Sequence, residues 1–429
     1  MLFSDIQIID EHFQAKDHQW VGTRGDTIAY VGSCAPTEDF GEVYSGTGCA
    51  LMPGMYNAHA HAPMTLLRGY AENLPLQQWL NDRVFPFEAK ITDEEAYPAT
   101  LLAIAEMLRF GTVSFSDMYY FSDARAHAVI ESGIKCNLSE AALSFTDTPY
   151  SELPIARVNE HLIDAYHMAA NGRLKIDLSI HAEYTSNPAL VEAVGQLAVE
   201  RGLRTHIHLA ETQTETRECA ERHDGMSPAA YFDSLGFFRM PCSAAHCVWT
   251  TADDWAILRE RGVTAVTNPA SNLKLASGIA PVAAMLDAGV AVALGTDGPA
   301  SNNNHDMFQD MYLLALLQKG ASGDPCAVSP AQALQIATEN GARAQGREDC
   351  GAIKQGNKAD LVVVDVDQPH LHPATDLASN LVYAAHGSDV VLTMVDGAVL
   401  YRDGEWPTID VERAEAETDA AFKRIIARL

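Results

Sequence analysis

Residues 280–298 read APVAAMLDAGVAVALGTDG and contain the unit on which the fold is built. An apolar stripe with helical spacing leads to Gly289, which stands where a helix ends, and the apolar run up to Leu294 is typical of a buried strand. TLLAIAEMLRF followed by GTVSF, at 100–115, has the same order. Helices alternating with apolar strands predict βα units and a parallel sheet.

Eight apolar segments of this kind occur in the middle of the chain, which is the number that a closed barrel needs. The candidate strands end near Tyr56, Met118, Ala141, His181, Leu209, Cys247, Asn268 and Thr296. The sequence therefore predicts an α/β protein in which residues 55–345 form a (β/α)8 TIM-type barrel. In such a barrel the residues that follow each strand share one rim, where the chemistry takes place.

Short apolar runs separated by Gly and Asp turns occupy both ends of the chain. IQIID and TIAYVG lie near the start, and VVLTMVDGAVLYRDGEW lies near the end. Runs of this length with such turns are typical of short strands. We expect residues 1–54 and 346–429 to pair into one small β-sandwich domain, with the barrel inserted between them.

The chain is strongly acidic. It has 57 Asp and Glu against 29 Lys and Arg, which gives a formal charge of −28 over 429 residues. Such a charge repels phosphate backbones and anionic lipids, so we expect neither a nucleic-acid nor a membrane partner. The same charge also keeps a protein soluble, and in that interpretation it says little about the substrate. A small neutral or cationic molecule is the expected partner.

The cysteines and the start of the chain bear on location. The eight cysteines are scattered without a Cys-x-x-Cys pair, which favours free thiols in a reducing cytosol. MLFSDIQIID, the first ten residues, has no basic start and no long apolar run, so neither a signal peptide nor an anchor is expected. No apolar stretch reaches the length of a membrane span. We therefore expect a cytoplasmic protein.

Histidines and one aspartate stand at the ends of four candidate strands. His59 and His61 are two residues apart, so both imidazoles point the same way from a strand. His208, His246 and Asp297 follow at the ends of later strands. Three imidazoles and one carboxylate on one rim suit Zn²⁺, with room left for water. A single buried histidine is more often a hydrogen-bonded core residue, so the metal hypothesis depends on the whole ordered set.

Six stretches spread over nearly the whole chain are more specific. They are NAHAHAPMTLLRG (57–69), HLAE (208–211), AAHCV (244–248), NPASNLKLASGIAPV (268–282), GTDGPASNNN (295–304) and GNKADLVVVD (356–365). In these stretches the sequence resembles the amidohydrolase superfamily, specifically its methylthioadenosine/S-adenosylhomocysteine deaminase branch. The resemblance implies a metal-dependent hydrolytic deaminase that converts an adenosine-type nucleoside to the inosine analogue and ammonia.

The resemblance also implies a role for individual residues. One divalent ion, zinc or alternatively iron, would be held by His59, His61, His208 and Asp297. Glu211 would protonate a ring nitrogen, His246 would steer the attacking water, and Asp297 would take the proton of that water. The physics agrees, because a bound divalent ion lowers the pKa of water to about 7.

The fourth candidate strand argues for a single ion. Two-metal members of the superfamily usually bridge their ions through a modified lysine at the end of this strand. KIDLSIHAEYT, at 175–185, places His181 at that end and Lys175 at the start. We therefore predict a mononuclear site. We expect His206, which precedes His208 by two residues, to be structural.

AENLPLQQWLNDRVFPFEAK, at 71–90, matches the part of the branch that closes over the nucleoside. By resemblance Glu88 would accept hydrogen bonds from the ribose hydroxyls, which is a charge-assisted arrangement. Trp79 would pack against the sugar or base, although a tryptophan near a helix is equally typical of a core. His181 would face the purine or the ribose.

The resemblance bears on the 5′ substituent as well. Arg157, in ARVNEHL, falls at a plausible position for one of two arginines that bind the carboxylate of S-adenosylhomocysteine in the branch. Glu140 stands where the other arginine aligns, and it would repel that carboxylate by about 1 kcal/mol or more. We expect adenosine, 5′-deoxyadenosine or methylthioadenosine to be preferred over S-adenosylhomocysteine.

Other functions stay open at this point. A deaminase of a free guanine-like or cytosine-like base, or a triazine chlorohydrolase, would use nearly the same metal ligands. Glu88 and Trp79 favour a nucleoside, because a free base has no ribose diol. A non-catalytic, metal-stabilised binding protein would have no need of a proton shuttle such as Glu211. The resemblance also suggests a homo-oligomer.

Overall fold

The computed structural model describes residues 1–429 and has the mixed α/β architecture that the sequence predicts. The strands are β1 (Leu2–Ile9), β2 (Ala15–Arg24), β3 (Thr27–Gly32), β4 (Val43–Ser45), β5 (Cys49–Pro53), β6 (Met55–Ala60), β7 (Thr112–Met118), β8 (Lys135–Ser139), β9 (Ala141–Ala142), β10 (Leu174–Ile176), β11 (Leu178–Ile180), β12 (Thr205–Leu209), β13 (Cys242–His246), β14 (Thr264–Thr267), β15 (Ala291–Leu294), β16 (Leu361–Asp365), β17 (Val390–Val395) and β18 (Ala398–Arg402).

Helices alternate with the strands through the middle of the chain. They are α1 (Leu76–Trp79), α2 (Phe85–Glu88), α3 (Asp93–Arg109), α4 (Ser122–Ser132), α5 (Pro154–Tyr166), α6 (Ala169–Gly172), α7 (Pro188–Arg201), α8 (Gln213–Arg222), α9 (Pro228–Ser234), α10 (Ala252–Arg261), α11 (Pro269–Lys274), α12 (Val282–Asp287), α13 (Met307–Ser322), α14 (Pro330–Ala337), α15 (Glu339–Ala344), α16 (Leu377–Tyr383) and α17 (Val411–Ile426). A π-helical turn, Leu80–Val84, joins α1 to α2.

The parallel strands form two connected sheets. One has the order β10-β8-β7-β6 and the other β15-β14-β13-β12-β11-β9. β8 leads into β9 and β10 into β11, so the third and fourth predicted strands each belong to both sheets. A parallel bridge joins Ala60 to Asp297, and the Asp297 N–H donates to the His59 carbonyl at 3.0 Å. The first and last parallel strands are therefore neighbours at this end.

The stretch quoted first folds as the sequence predicts. α12 is followed by Gly289 at a φ of 77°, a left-handed conformation that glycine adopts without steric cost. The Val290 N–H then donates to the Met285 carbonyl at 2.9 Å, which ends the helix. β15 begins at Ala291, which is exposed, and the rest of the strand up to Leu294 is buried.

The strands end close to their predicted positions, with one larger difference. β7 ends at Met118 as expected, whereas β6 continues beyond Tyr56 to Ala60. The extension contains polar residues that find partners inside the protein. Asn57 Nδ2, for example, donates to Thr296 Oγ1 at 2.7 Å. Because a buried polar group with a partner costs little, the strand can continue through this polar sequence.

The two ends of the chain share one mixed sheet. Its order is β18-β17-β16-β5-β1-β2-β3, with β4 beside β1. β16 pairs antiparallel with β5, where Leu361 lies opposite Pro53. A separate apolar cluster that includes Phe3 and Leu361 lies on this sheet. The last helix packs beside α3. Arg428, just after the end of this helix, binds Glu95 of α3 at 2.6 Å.

The cysteines are all free thiols, as the sequence predicts. Five of them are buried and act as small apolar core residues: Cys136, Cys219, Cys242, Cys247 and Cys350. No helix combines the length and the apolar character that crossing a bilayer requires.

Candidate functional site

The histidines and the aspartate at the strand ends meet in one pocket. His59 lies in β6 and His61 directly after it, His208 lies in β12, His246 at the end of β13, and Asp297 just after β15. All five side chains are buried. They meet because neighbouring parallel strands present their carboxyl ends at the same rim.

Four of these side chains converge on one point. Asp297 Oδ1 lies 3.1 Å from His61 Nε2 and 3.4 Å from His59 Nε2. His208 Nε2 lies 3.3 Å from His61 Nε2. Ligand nitrogens about 2.1 Å from a tetrahedral zinc ion are about 3.4 Å from one another, so these separations are those of donors around one ion.

The proton positions on the histidines leave lone pairs at the centre. The Nδ1–H of His61 donates to the Met118 carbonyl, and that of His208 donates to the His181 carbonyl at 2.7 Å. In the neutral rings both Nε2 atoms therefore carry lone pairs, and these face each other at 3.3 Å. His59 Nε2 is buried and has no hydrogen-bond partner. A cation satisfies all of these groups at once, so the residues fit a metal ion.

The charge states also fit a cation. Burial lowers the pKa of His59 to about 3 and holds the pKa of His208 well below its usual range, so both rings are neutral. Burial alone would raise the pKa of Asp297, but its contacts with His59 and His61 outweigh burial and keep this pKa low. His59 and His208 thus offer neutral imidazoles and Asp297 a carboxylate, which are the protonation states that metal binding requires. Burial lowers the pKa of His61, but its contact with Asp297 outweighs burial and raises this pKa, so a metal ion would have to displace a proton there.

His206 lies next to this cluster. Its Nε2 is 3.0 Å from Nδ1 of His59. Burial holds the pKa of His206 well below its usual range, so the ring is a neutral acceptor for the Nδ1–H of His59. This contact turns the lone pair of His59 Nε2 towards the centre. His206 and His208 are two residues apart and share one face of β12, so the ring that was expected to be structural contacts a candidate ligand.

Two hydroxyl groups hold Asp297. Ser271 Oγ and Ser301 Oγ donate to Asp297 Oδ2 at 2.6 and 2.8 Å, which leaves Oδ1 to face the histidines. The strand ends must also approach closely here, because a Cβ at Gly295 would lie 2.9 Å from the backbone N and O of His59. Glycine at this position is therefore required by the meeting of β6 with the end of β15.

Glu211 and His246 lie beside the candidate ligands. Glu211 Oε2 is 4.0 Å from His246 Nε2, and Glu211 Oε1 accepts a hydrogen bond from Ser277 Oγ at 3.1 Å. His246 Nδ1 lies 2.9 Å from the side-chain oxygen of Asn272, so Nδ1 carries the proton and Nε2 faces the pocket with a lone pair. Burial raises the pKa of Glu211, which favours its protonated form.

Glu88 lines the same pocket and is buried. The Tyr119 hydroxyl donates to Glu88 Oε1 at 2.6 Å. Burial raises the pKa of Glu88 to about 7, although the hydrogen bond from Tyr119 opposes this change. The carboxyl group therefore changes its charge near neutral pH, with Oε2 free to meet a ligand.

Trp79 both lines the pocket and belongs to a local core. Its Nε1–H donates to the Ala71 carbonyl at 3.0 Å, and its ring packs in an apolar cluster with Leu80 and Phe87. The helical segment that carries it runs through the π-helical turn to Glu88, and π-helical turns are frequent at functional sites. The two interpretations of Trp79 that the sequence left open are thus compatible.

His181 and Lys175 lie at opposite ends of the fourth strand. His181 lines the pocket, and its Nδ1 is 3.0 Å from Thr185 Oγ1. Burial lowers the pKa of His181 to about 4, so the ring is neutral. Lys175 Nζ instead donates to the Gly346 carbonyl at 2.6 Å. No lysine lines the pocket.

Glu140 and Arg157 do not line the pocket that contains the histidines. Glu140 is half-buried and Arg157 is exposed, and both line a neighbouring depression together with Asp93 and Ser122. The Ser122 hydroxyl donates to the Glu140 carboxylate. Tyr120 lines both cavities, so it forms the wall between them.

A second group of potential metal donors lies elsewhere. Glu183, Cys219 and His223 have ligand atoms close enough to share an ion. Here, however, Arg222 Nε donates to Glu183 Oε1 at 3.0 Å, and His223 Nε2 is 2.7 Å from the same oxygen. Because the arginine already neutralises the carboxylate, these contacts describe an ion-paired cluster.

Sequence reasoning missed the contacts of the side chains that hold the candidate site residues in place. These residues are Tyr119, His206, Ser271, Asn272, Ser277 and Ser301. Most of them lie within the motifs quoted above, so proximity to those motifs was the available signal. A hydroxyl or amide group alone gives no indication of which side chain it contacts.

Comparison with known proteins agrees with this geometry. The family model described as Amidohydrolase family matches residues 50–400. The chain is 43% identical over 401 residues to the 5-methylthioadenosine/S-adenosylhomocysteine deaminase of Dictyoglomus thermophilum, 93% of either chain. It is also 43% identical over 387 residues to the 5′-deoxyadenosine deaminase of Methanosarcina mazei, 90% of this chain and 89% of the relative.

A solved structure is similar over almost the whole chain. It is a crystal structure of an adenosine deaminase from Xanthomonas campestris with bound zinc, with a TM-score of 0.92 and 33% sequence identity. The match covers 99% of this chain and 98% of the other. Because the family model spans most of the sequence and these relatives span nearly all of it, the chain belongs to the amidohydrolase family.

Proposed function

We infer that the protein is a metal-dependent hydrolytic deaminase of adenosine-type nucleosides. Water and the nucleoside give the inosine analogue and ammonia, so a C6–N bond breaks and a C6–O bond forms. The observation that carries this inference is that Glu211 and Glu88 share one pocket with the cluster of facing lone pairs. Relatives 43% identical to the chain are named as deaminases of methylthioadenosine, S-adenosylhomocysteine and 5′-deoxyadenosine.

One divalent ion would complete the site, held by His59, His61, His208 and Asp297. Zinc suits three imidazoles and a carboxylate, and it is bound in the Xanthomonas relative, so we favour zinc over iron. The ion supplies Lewis acidity, which lowers the pKa of water to about 7 and makes a nucleophile available at neutral pH. The absence of a lysine from the pocket supports a mononuclear site, and metal analysis giving two tightly bound ions per chain would contradict it.

His246 and Asp297 place the attacking water. The hydrogen bond to Asn272 fixes the His246 ring. Its Nε2 lone pair then accepts a hydrogen bond from the water and orients the water oxygen towards C6. Asp297 takes a proton from the water as the C6–O bond forms. Its two serine contacts hold the carboxylate in position for this transfer.

Glu211 supplies a proton to the purine ring. Burial favours its protonated form, and the acid donates to the ring nitrogen N1 while the water oxygen attacks the adjacent C6. Protonation of N1 draws electrons away from C6 and makes attack easier. The amino group then leaves as ammonia with the proton that Asp297 took from the water, and the remaining hydroxyl proton returns to Glu211 as the C6 carbonyl forms.

Glu88, Trp79 and His181 would recognise the nucleoside. The free oxygen of Glu88 accepts hydrogen bonds from the ribose hydroxyls when the carboxyl group is ionised. Trp79 and His181 also line the pocket, where they pack against the base or the sugar. A free base would leave Glu88 buried without a partner for its charge, which favours a nucleoside substrate.

Glu140 and Arg157 would influence the 5′ substituent. They line the depression that Tyr120 separates from the main pocket, so they lie beyond the wall of the nucleoside site. The negative charge of Glu140 opposes a carboxylate there. We therefore propose that adenosine, 5′-deoxyadenosine and methylthioadenosine are better substrates than S-adenosylhomocysteine.

The proposal is tested by ammonia release from the zinc-loaded protein. The panel contains adenosine, 5′-deoxyadenosine, methylthioadenosine, S-adenosylhomocysteine, adenine, guanine and cytosine. We expect the highest kcat/KM for a nucleoside with an uncharged 5′ group. The highest value for S-adenosylhomocysteine would contradict the argument from Glu140, and the highest value for a free base would contradict the nucleoside.

Two further measurements separate the other functions. Halide release from a chlorotriazine in place of ammonia release would indicate a chlorohydrolase. Glu211→Gln is expected to abolish turnover while zinc content stays at one ion per chain, because Glu211 is not a candidate ligand. Unchanged ammonia release by this variant would remove Glu211 from the mechanism, and a wild-type protein that binds zinc without any turnover would indicate a binding protein.

We propose in addition that the parallel strands close into a (β/α)8 barrel over residues 55–345. The bridge between Ala60 and Asp297 supports closure. The single sheet shared by both chain ends supports pairing of residues 1–54 with 346–429 into a small β domain, and we propose that this domain is a β-sandwich. A crystal structure tests both proposals, and light scattering tests the homo-oligomer that the resemblance suggests.

A further inference from the structure

A buried glutamate lies behind the turn that carries Glu211. Glu215, in the first turn of α8, accepts hydrogen bonds from the backbone N–H groups of Ala210 at 3.0 Å and of Glu211 at 2.7 Å, one on each carboxylate oxygen. We propose that Glu215 is a positioning residue for Glu211: it holds the backbone of this turn so that the Glu211 carboxyl group faces the substrate ring. This inference rests on the proposed function.

The turn needs an external partner. Ala210 has a φ of 50°, a left-handed conformation that an alanine adopts only against steric resistance. Ala210 and Glu211 are both buried, so water cannot satisfy their N–H groups. The chain leaves β12 here and enters α8 five residues after His208. Without Glu215 the turn would have two unpaired buried donors and a strained residue.

The contacts of Glu215 go beyond an ordinary helix cap. In a capping box the glutamate at the third helical position binds the N–H of the N-cap residue, which is Thr212 here. Glu215 reaches farther back, to the two residues before Thr212. Its own N–H donates to Thr212 Oγ1 at 3.1 Å, which anchors it in the helix. The carboxylate therefore serves the turn that carries Glu211, in addition to α8.

A carboxylate is the side chain that this arrangement needs. The two N–H groups bind separate oxygens, so both acceptors of Glu215 are used. A glutamine keeps one acceptor and presents an N–H group to the other donor, whereas an alanine keeps none. The two substitutions therefore remove one and two contacts, respectively.

The effect of Glu215 on the reaction passes through Glu211. Glu215 does not line the pocket, so it does not touch the substrate. Glu211 Oε1 meets Ser277 and its Oε2 lies near His246, and this geometry depends on where the backbone of Glu211 is held. A small displacement of a proton donor lowers the rate of proton transfer but leaves the nucleoside contacts intact. Loss of the two hydrogen bonds to Glu215 should therefore lower kcat and leave KM unchanged.

A double-mutant cycle tests this inference. The variants are Glu215→Gln, Glu215→Ala, Glu211→Gln and the double variants, with Glu221→Gln as the control, because Glu221 is an exposed glutamate of the same helix. We expect Glu215→Ala to lower kcat about 100-fold and Glu215→Gln about tenfold, with KM within about threefold of wild type. In a protein that already carries Glu211→Gln, either change should alter the residual rate by less than about twofold.

The opposite results are equally clear. A Glu215 substitution that lowers the residual rate of the Glu211→Gln protein as much as it lowers wild type would overturn the inference, as would a rise in KM at constant kcat. If Glu215→Ala fails to fold or loses zinc, the cycle with Glu215→Gln decides. Failure of wild type to release ammonia from any nucleoside would overturn the proposed function together with this inference, whereas active wild type with an additive cycle overturns this inference alone.

Discussion

Glu88→Gln separates recognition of the ribose from the chemical step. Glu88 is buried, and one of its oxygens already accepts the Tyr119 hydroxyl at 2.6 Å. The other oxygen is the one available to the ribose diol. Glutamine keeps a single acceptor oxygen and has an amide group in place of the second, so the variant loses a charge-assisted hydrogen bond.

The size of the effect follows from that lost bond. A hydrogen bond to a charged group contributes about 1.5–3 kcal/mol, and about 1.4 kcal/mol corresponds to a factor of ten. We therefore expect KM for adenosine to rise about 10- to 150-fold at pH 8, with kcat within about threefold of wild type. KM is expected to change while kcat does not, because the ribose contact is made equally in the ground state and in the transition state.

The pH dependence gives a second readout of the same residue. Burial raises the pKa of Glu88 to about 7, so the acceptor form is present above that pH and is lost as the pH falls through it. Between pH 8 and pH 6 the ionised fraction falls from about nine-tenths to about one-tenth, so KM of wild type should rise about tenfold. KM of the Glu88→Gln variant should stay level over this range.

Steady-state ammonia release with adenosine and 2′-deoxyadenosine measures both effects. The variant should discriminate less between the two nucleosides than wild type does, because the partner of the 2′-hydroxyl is impaired. Glu94→Gln, an exposed change on α3, is the matched control and should leave KM unchanged. The reasoning is refuted if KM of Glu88→Gln equals that of wild type, or if kcat falls as far as kcat/KM.

Three other predictions concern the metal and the 5′ group. His206→Ala removes the acceptor of the His59 Nδ1–H and should weaken zinc affinity about 10- to 100-fold in a competition titration, and unchanged affinity would make His206 purely structural. Chelation should lower the melting temperature, and zinc at about 100 times its Kd should restore about 2.7 kcal/mol by calorimetry, so a melting curve indifferent to chelator would argue against the cluster as a metal site. Glu140→Arg should raise the kcat/KM ratio of S-adenosylhomocysteine to methylthioadenosine at least about fivefold, and a constant ratio would place the 5′ group elsewhere.

The strand order and the converging cluster could be predicted from the sequence. Parallel strands bring their carboxyl ends to one rim, so His59, His208 and Asp297 had to lie near one another once the strands were recognised. The role of His206 could not be predicted. The two-residue period of a strand places His206 and His208 on the same face, but it does not say which of the two rings contacts His59 from β6.

Substrate recognition was predicted less completely, because it depends on loops and helices rather than on strand register. Glu88 and Trp79 come to the pocket through a helical segment with a π turn, whose direction has no strong signature in the sequence. Glu140 follows β8 directly, and only the resemblance placed it beside the bound substrate. Its side chain instead points to the neighbouring depression, where Ser122 binds it.

Backbone and side chains have separate tasks at this site. The carbonyl groups of Met118 and His181, at the ends of the second and fourth strands, fix the protons of His61 and His208 on Nδ1. These two strands therefore orient candidate ligands without contributing a ligand side chain of their own. The side chain at the end of the fourth strand is thereby free of metal binding, and His181 can face the pocket as a neutral ring. A member of the family with a bridging lysine there uses that position for a second ion, whereas this chain has it available for the substrate.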